Sequence, residues 1–227
     1  MTLVQKFRLA MARRACRLPL QARLLNQPLP SMRKPLAELE MVALDFETTG
    51  LDMGRDHIIA AGWVLLRGDR IVMASAREVR VQNEASDGVG QSAVIHGIMD
   101  SDLDDADSIE AMVEHLLPEL AGRAIVAHAA MIERGFLAAL LRRMGGVPLP
   151  NPFVDTMALE RHLIEGHGGN VREMHGDLTL DACRARRELP DHQRHSAGAD
   201  AVACAELLLA QVDQLGGAGK VTLRDLL

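Results

Sequence analysis

The sequence predicts an α/β fold in which a mixed β-sheet is flanked by helices. Two strand-like runs, "HIIAAGWVLL" at 57–66 and "RIVMASAREVRV" at 70–81, are separated by the turn signal "RGD", which predicts an antiparallel hairpin or meander. Beyond residue 107, short apolar strands alternate with helical segments, a pattern typical of parallel strands. Together the two patterns predict antiparallel and parallel strands in one sheet.

The other elements follow from apolar periodicity and from helix start and stop signals. "MVALDF" at 41–46 predicts a buried strand, and the turn signal "TTGLD" follows it. A capping box from Asp107 to Glu110 predicts the start of a helix. The remaining segments are a strand at 124–128, a strand end that runs into a helix at 152–163, and helices at 107–120, 130–144, 178–189 and 197–212.

Three segments are expected along the chain. Residues 1–37 predict a basic helical extension, interrupted at Pro19, and a proline-rich linker; 38–215 predict the main domain, and 216–227 a short tail. The basic amphipathic helix fits three roles: a helix docked on the main domain, an arm that binds a polyanion, or a transit-like leader. It could also dock a protein partner.

Charge is unevenly distributed along the chain, whose net charge is −6. Residues 1–34 contain eight of the 25 basic side chains and none of the 31 acidic ones, so the other 193 residues have a net charge of −14. An acidic body disfavours tight binding of duplex DNA through phosphate neutralisation, but it suits a metal site that contacts a polyanion over a few residues.

Cysteine usage and hydropathy bound the location of the protein. The three cysteines are widely spaced and include no CxxC pair, which argues against a disulfide framework and predicts a reducing compartment, the cytoplasm. No apolar run approaches the roughly 20 residues of a membrane span, so no membrane association is expected.

Two acids end the first predicted strand. Side chains alternate along a strand, so Asp45 and Glu47 share one face while Phe46 points to the other. The acids could lie in solvent at the strand end. Alternatively, they could bind a divalent cation, because Mg²⁺ and Mn²⁺ prefer hard oxygen ligands.

A third acid lies on the apolar face of the helix predicted at 130–144. At about 100° per residue, Glu133 falls between Leu140 and Met144 in the apolar stripe, whereas Arg134 and Arg142 lie opposite. A carboxylate on a buried face needs a cation or a hydrogen-bond partner. An error in helix phase, or a side chain reaching solvent from the end of the stripe, would explain Glu133 without a functional role.

The segment "HSAGAD" supplies the last candidates. Asp200 opens the last long helix, and His195 lies five residues earlier in the preceding loop. An acid in a first helical turn is favoured by the helix dipole alone, so a capping role for Asp200 remains an alternative. His195 by itself could be an ordinary polar residue.

Together these segments resemble the DEDDh superfamily of 3′-5′ exonucleases, which includes replicative-polymerase proofreading subunits and RNase T. "LDFETTGLD" matches its first motif, "VAHAAMIERGFL" its second and "HSAGADA" its third, in the right order over about residues 41–213. "IHGIM" at 95–99 and "FVDTMALER" resemble two further segments. The resemblance implies an RNase H-like fold and hydrolysis of phosphodiester bonds at a 3′ end, with release of nucleoside monophosphates.

Two positions depart from the second motif. Glu133 stands where the family has aspartate, and Ala129 stands where it has asparagine. We interpret Glu133 as a functional substitute, because an acid on the buried helix face is retained. The missing asparagine removes a side-chain donor near the nucleotide.

The resemblance also implies a set of roles. Two divalent cations, Mg²⁺ or Mn²⁺, would be held by four acids, with His195 as the base that takes a proton from the attacking water. The four acids are Asp45, which bridges the cations, Glu47, Asp200, and Glu133, which acts through water.

The expected substrate-binding residues are Phe46, Thr48, Leu51, His96 and Ile98. Alternation turns the Phe46 ring towards the core, so it cannot be a wedge between bases. With only five aromatic residues, the chain lacks a stacking platform, which favours sequence-tolerant trimming of a single-stranded 3′ end.

The leading hypothesis is an exonuclease on single-stranded DNA, and RNA trimming at the same site is an alternative. A binding or docking module without catalysis is a third possibility. The short glycine-rich segment after residue 213 predicts a stand-alone enzyme rather than a polymerase subunit.

Overall fold

The computed structural model describes residues 3–82, 106–166, 178–192 and 196–227. Five strands form one sheet in the order β3-β2-β1-β4-β5. They are β1 (Glu40–Thr48), β2 (Ile58–Arg67), β3 (Arg70–Arg80), β4 (Ala124–Ala127) and β5 (Phe153–Asp155). Strands β1, β2 and β3 pair antiparallel, whereas β4 runs parallel to both β1 and β5. The predicted mixed sheet and its hairpin are confirmed.

Seven α-helices surround the sheet in the described part of the chain. They are α1 (Leu3–Ala15), α2 (Pro19–Leu24), α3 (Ile109–Leu120), α4 (Met131–Arg143), α5 (Thr156–Gly166), α6 (Leu180–Ala185) and α7 (Ala197–Gln214). No helix in that part has the length and apolar character needed to cross a membrane.

The sheet is covered on both faces. Met41 and Ala43 of β1 pack with Cys204 and Leu208 of α7 in one core. The alternate β1 residues Val42, Leu44 and Phe46 lie in the other core, with residues of α3 and α4. Strand β1 is therefore central and buried on both faces, and its carboxyl end emerges where the first turn of α7 crosses the sheet.

The start of α3 differs from the prediction. The capping box from Asp107 to Glu110 is wrong: Ser108 is the N-cap, and its hydroxyl accepts a hydrogen bond from Ala111 N at 3.2 Å. The backbone of Asp107 instead forms an isolated parallel β-bridge with Val81, beside the end of β3. The backbone pairing of Asp107 is a non-local contact, which the local sequence pattern does not reveal.

The N-terminal helices pack on the body through a buried amide. Gln21 is fully buried, and its side chain accepts from Val147 N at 2.9 Å and donates to Val147 O at 2.5 Å. Arg17 N also donates to Gly145 O at 2.9 Å. These contacts fix α2 beside the C-terminal end of α4, the end opposite Glu133.

The last residues of the chain return to the body. Val221, Leu223 and Leu226 are buried in the core beneath α7. Leu36 N donates to Val221 O at 2.9 Å, and Pro35 and Thr222 form an isolated antiparallel β-bridge. The C-terminal segment is thus joined to the residues that precede the first strand.

Candidate active site

Three carboxylates converge at the carboxyl end of β1. Oxygen atoms of Asp45, Glu47 and Asp200 all lie within 4.8 Å of one another. Asp45 and Glu47 project from β1 on the face that α7 covers, as strand alternation predicts. Asp200 reaches them from the first turn of α7.

The approach of α7 depends on a glycine in the neighbouring strand. Gly62 of β2 pairs directly with Asp45. A Cβ atom at Gly62 would lie 2.0 Å from the carbonyl carbon of Ala197, so any other residue would push the helix away. No local pattern in the sequence marks Gly62, because its importance arises from a contact between distant segments.

The crowded acids change one another's protonation. Burial raises the pKa of Asp45 well above its usual range, and the negative charges of Glu133, Asp200, Glu47 and Glu78 add to the rise. Burial also raises the pKa of Glu47 to about 7, with contributions from Asp200 and Glu78. A cation between these carboxylates would favour their ionised forms and would offset the repulsion among them.

Glu133 is buried, as its helical phase predicts. Its side chain is 3% exposed, and Oε2 has no hydrogen-bond partner among the described residues. Burial raises the pKa of Glu133 to about 8, the charge of Asp155 adds to the rise, and a hydrogen bond to its own backbone opposes it. The unsatisfied oxygen is the kind of group that a cation or a metal-bound water would satisfy.

The loop before Glu133 is held by Asp155 at the end of β5. Its carboxylate accepts from Ala129 N at 3.2 Å and from Ala130 N at 3.1 Å. It also accepts from Met157 N at 2.9 Å, at the start of α5. Asp155 therefore fixes the entry to α4 and, with it, the position of Glu133.

Ala129 has a left-handed backbone conformation, with φ of 63°. This conformation costs an alanine roughly 1–2 kcal/mol, whereas asparagine adopts it more readily. We expect Ala129→Asn to raise the free energy of unfolding by about 0.5–1 kcal/mol and the Tm by about 1–4 °C. Thermal melts measure the change.

Ala121, with φ of −62°, provides the matched control for that substitution. Ala121→Asn gains nothing from relief of backbone strain, so its Tm should not rise. Equal shifts in the two variants would contradict the explanation by backbone strain.

The described histidine nearest the acids is His192. Its Nε2 lies 2.7 Å from Asp200 Oδ1, and its Nδ1 lies 3.8 Å from Asp181. Arg184 stabilises the segment that carries His192, because its guanidinium donates to Ala203 O and to Pro190 O at 2.7 Å each. No local pattern in the sequence marks His192, which lies three residues before the expected base.

The expected base His195 and the expected substrate contacts His96 and Ile98 lie outside the described residues. His128, in the second motif, contacts Thr156 Oγ1 at 2.9 Å and Leu178 O at 2.8 Å. Burial lowers the pKa of His128, which favours the neutral ring. His128 therefore connects β4, α5 and the segment before α6.

The other expected substrate residues lie around the turn after β1. Phe46 is 6% exposed and packs in the core, as alternation predicts. Thr48 Oγ1 donates to Gly50 O at 2.7 Å and so shapes the turn, while Leu51 is 73% exposed. Leu51 is thus accessible to a ligand, and the Phe46 ring is not.

The donor set fits a divalent cation. It consists of hard carboxylate oxygens and is crowded with negative charge, and the charge of Glu133, whose Oε2 is unsatisfied, also acts on Asp45. These features match the coordination preferences of Mg²⁺ and Mn²⁺. The residues that would hold the ion are Asp45, Glu47 and Asp200.

Comparison with known proteins identifies similar sequences. Residues 42–208 match the family model described as Exonuclease, RNase_T. The DNA polymerase III PolC-type protein of Thermotoga maritima is 33% identical over 150 residues, which cover 66% of this chain and 11% of that protein. A DNA polymerase III subunit epsilon-like protein of Rhodobacter capsulatus is 29% identical, covering 83% of this chain and 26% of the relative. The chain thus spans about a tenth to a quarter of these relatives' length.

Solved structures share the fold. E. coli Exonuclease I in complex with a dT13 oligonucleotide superposes with a TM-score of 0.66 and 12% identity, over 78% of this chain and 42% of that one. The nuclease domain of 3′hExo, a DEDDh family member bound to rAMP, gives a TM-score of 0.63 and 14% identity, over 81% of this chain and 95% of that one. The RNase H-like architecture expected from the sequence is confirmed.

Proposed function

This chain belongs to the exonuclease family, within its DEDDh 3′-5′ superfamily, and we propose that it is a metal-dependent 3′-5′ exonuclease. The proposed reaction is hydrolysis of phosphodiester bonds at the 3′ end of single-stranded DNA, with release of nucleoside monophosphates. The observation that carries the proposal is the convergence of Asp45, Glu47 and Asp200 within 4.8 Å. The buried, unsatisfied Glu133 supports it.

Each acid has a proposed role. Asp45, Glu47 and Asp200 would hold two divalent cations, Mg²⁺ or Mn²⁺, and Glu133 would support the site by accepting a hydrogen bond from a bound water. The cations, when bound, would stabilise negative charge on the attacking and leaving oxygens. The protein contributes rigidity: β1 fixes two acids, and the packing of α7 against Gly62 fixes the third.

His195 is proposed as the general base that takes a proton from the attacking water. An imidazole with an unperturbed pKa of about 6.5 is mostly neutral at pH 7–8, as a base must be. We expect His195→Ala to lower kcat by roughly 10²–10⁴-fold, the usual contribution of a positioned base. Steady-state hydrolysis of a labelled oligonucleotide measures the loss.

His162→Ala is the matched control for that loss, since His162 is an exposed histidine on α5. Its kcat should equal that of the unmodified chain. A loss of less than tenfold in His195→Ala would contradict the proposed base, and His192→Ala would then be the next variant to assay.

DNA is the preferred substrate because the relative with 33% identity is a DNA polymerase III protein. Trimming of RNA 3′ ends is the alternative, since the carboxylate site does not itself distinguish the two sugars. A second proposed partner is a protein docked on the basic extension, where Lys6, Arg13, Arg14 and Arg23 are exposed.

The deciding experiment uses 5′-labelled single-stranded DNA and RNA of equal sequence, with Mg²⁺, Mn²⁺ or EDTA. A metal-dependent ladder that shortens from the 3′ end supports the proposal, and the ratio of DNA to RNA rates identifies the substrate. Asp45→Ala should give no ladder. If the unmodified chain binds the strand but releases no mononucleotide with either metal, it is a binding module and the proposed activity is wrong.

A further inference from the structure

Glu78 of β3 contacts the helix that carries Asp200. Its Oε2 accepts from Ser196 Oγ at 2.5 Å and from Gly198 N at 2.9 Å. Ser196 is the N-cap of α7, and Gly198 lies in the first turn of that helix. The Glu78 carboxylate therefore accepts a hydrogen bond from an N–H group that has no partner within the helix. It lies at the N-terminus of α7, where the helix dipole favours negative charge.

The sheet register places Glu78 in line with the acids. Asp45 pairs with Gly62, and Gly62 pairs with Glu78, so the three residues form one row across β1, β2 and β3. Residues in such a row project to the same face. Because Gly62 has no side chain, the row has a gap between its two acids, and Ala197 fills that gap.

The fit of α7 in this gap is tight on two sides. The backbone of Ala197 lies directly against Gly62 of the sheet. On the other side, a Cβ atom added at Gly198 would lie 3.2 Å from the Glu78 side chain. Asp200 N donates to Ser196 O at 2.8 Å, so Asp200 is joined directly to the residue that Glu78 holds. A displacement of Ser196 would therefore move Asp200.

Electrostatic repulsion opposes the placement of Asp200, and the hydrogen bonds to Glu78 counter it. Asp200 must lie beside Asp45 and Glu47, and like charges at this distance repel one another. Without an anchor, α7 could relieve the repulsion by shifting its first turn along the sheet. The two hydrogen bonds to Glu78 oppose that shift.

We propose that Glu78 is a positioning residue that holds the first turn of α7 in the Gly62 gap, so that Asp200 completes the carboxylate cluster. The inference rests on the proposed function for its catalytic consequence, but its structural consequence is independent of any reaction. Glu78 lies outside the group of described carboxylates that converge within 4.8 Å, and it would act through its hydrogen bonds to Ser196 and Gly198.

The test compares Glu78→Ala, Glu78→Gln and Asp225→Ala in the full chain. Glutamine keeps an oxygen that can accept both hydrogen bonds, whereas alanine keeps none. Asp225 is the matched control, because its carboxylate likewise accepts from a backbone N–H and a hydroxyl, both of Thr222, in the C-terminal 3₁₀ helix. Each variant is measured for kcat, for KM, for Mn²⁺ affinity by calorimetry and for Tm in EDTA.

We expect Glu78→Ala to lower kcat by about 10–100-fold, as displacement of a catalytic group by about 1 Å does, with KM changed by less than about threefold. Its Mn²⁺ affinity should fall by about tenfold. Glu78→Gln should recover kcat and Mn²⁺ affinity to within about threefold of the original values. Asp225→Ala should lower the Tm by about 2–4 °C and leave kcat and Mn²⁺ affinity unchanged.

Two results would overturn the proposal. Normal kcat and Mn²⁺ affinity in Glu78→Ala would show that Asp200 stays in place without the anchor. Equal loss of Mn²⁺ affinity in Glu78→Ala and Glu78→Gln would show that Glu78 is itself a ligand. If the unmodified chain hydrolyses nothing, the proposed function fails, while the Mn²⁺ affinities of the variants still test the placement of Asp200.

Discussion

Replacing Asp200 by asparagine should lower the rate of phosphodiester hydrolysis by at least about 10³-fold. The substitution preserves side-chain size but removes one of the three charges that converge within 4.8 Å. Metal ions contribute several kcal/mol to stabilising charge in such transition states, and about 1.4 kcal/mol corresponds to a factor of ten in rate. Weakened metal binding would therefore have a large catalytic effect.

The same substitution should not unfold the protein. Asp200 lies beside Asp45 and Glu47, so the loss of its charge relieves repulsion on them, while asparagine can still form the hydrogen bond with His192 Nε2. The N-cap of α7 is the side chain of Ser196, which remains. We thus expect an unchanged or higher Tm in EDTA together with the loss of activity.

Single-turnover assays with saturating enzyme separate this chemical defect from a defect in substrate binding. Asp213→Asn is the matched control, since Asp213 is an exposed acid near the other end of the same helix. Its single-turnover rate should be unchanged. A rate for Asp200→Asn within tenfold of the original would exclude Asp200 from the proposed site.

Local patterns in the sequence predict on which face of an element three of the acids lie. Strand alternation placed Asp45 and Glu47 on one face, and helical phase placed Glu133 on the buried face of α4; both placements agree with the structure. These patterns work because burial follows the period of each element. They apply only within a single element.

The supporting residues could not be predicted in this way. Gly62 and Glu78 act through the pairing of β2 with β3, whose register shifts between Trp63 and Leu65. A one-residue shift in register changes which residues form a row, and the sequence contains no clear signal for such a shift. Gln21 is a similar case: a buried glutamine in a basic helix makes sense only when Val147 is found beside it.

The carboxylate cluster should also make the stability of the metal-free protein depend on pH. The folded-state pKa values of Glu47, about 7, and of Glu133, about 8, both lie above the ordinary value of 4.5. Between pH 4.5 and 8, the folded state therefore binds more protons than the unfolded state. Stability then falls as the pH rises through this range, because ionising these acids costs more in the folded protein.

Thermal melts in EDTA should accordingly give a higher Tm at pH 6 than at pH 8.5. The difference should be at least about 1 kcal/mol, or about 2–4 °C, since one pKa unit corresponds to about 1.4 kcal/mol. Glu133→Gln removes one of the titrating groups and should reduce the difference. Lys34 pairs with Glu38 on the surface at 3.3 Å, so Glu38→Gln provides a control acid that should leave the difference unchanged.

Addition of Mn²⁺ at pH 8.5 should remove most of this pH dependence. A cation held by Asp45, Glu47 and Asp200 favours their ionised forms, so its binding displaces the protons that the metal-free cluster retains. Mn²⁺ binding near pH 7 should therefore release protons. Calorimetry in buffers of different ionisation enthalpy measures how many protons are released. A Tm in EDTA that rises from pH 6 to pH 8.5 would contradict the raised pKa values, and with them the view that these acids are held together for a cation.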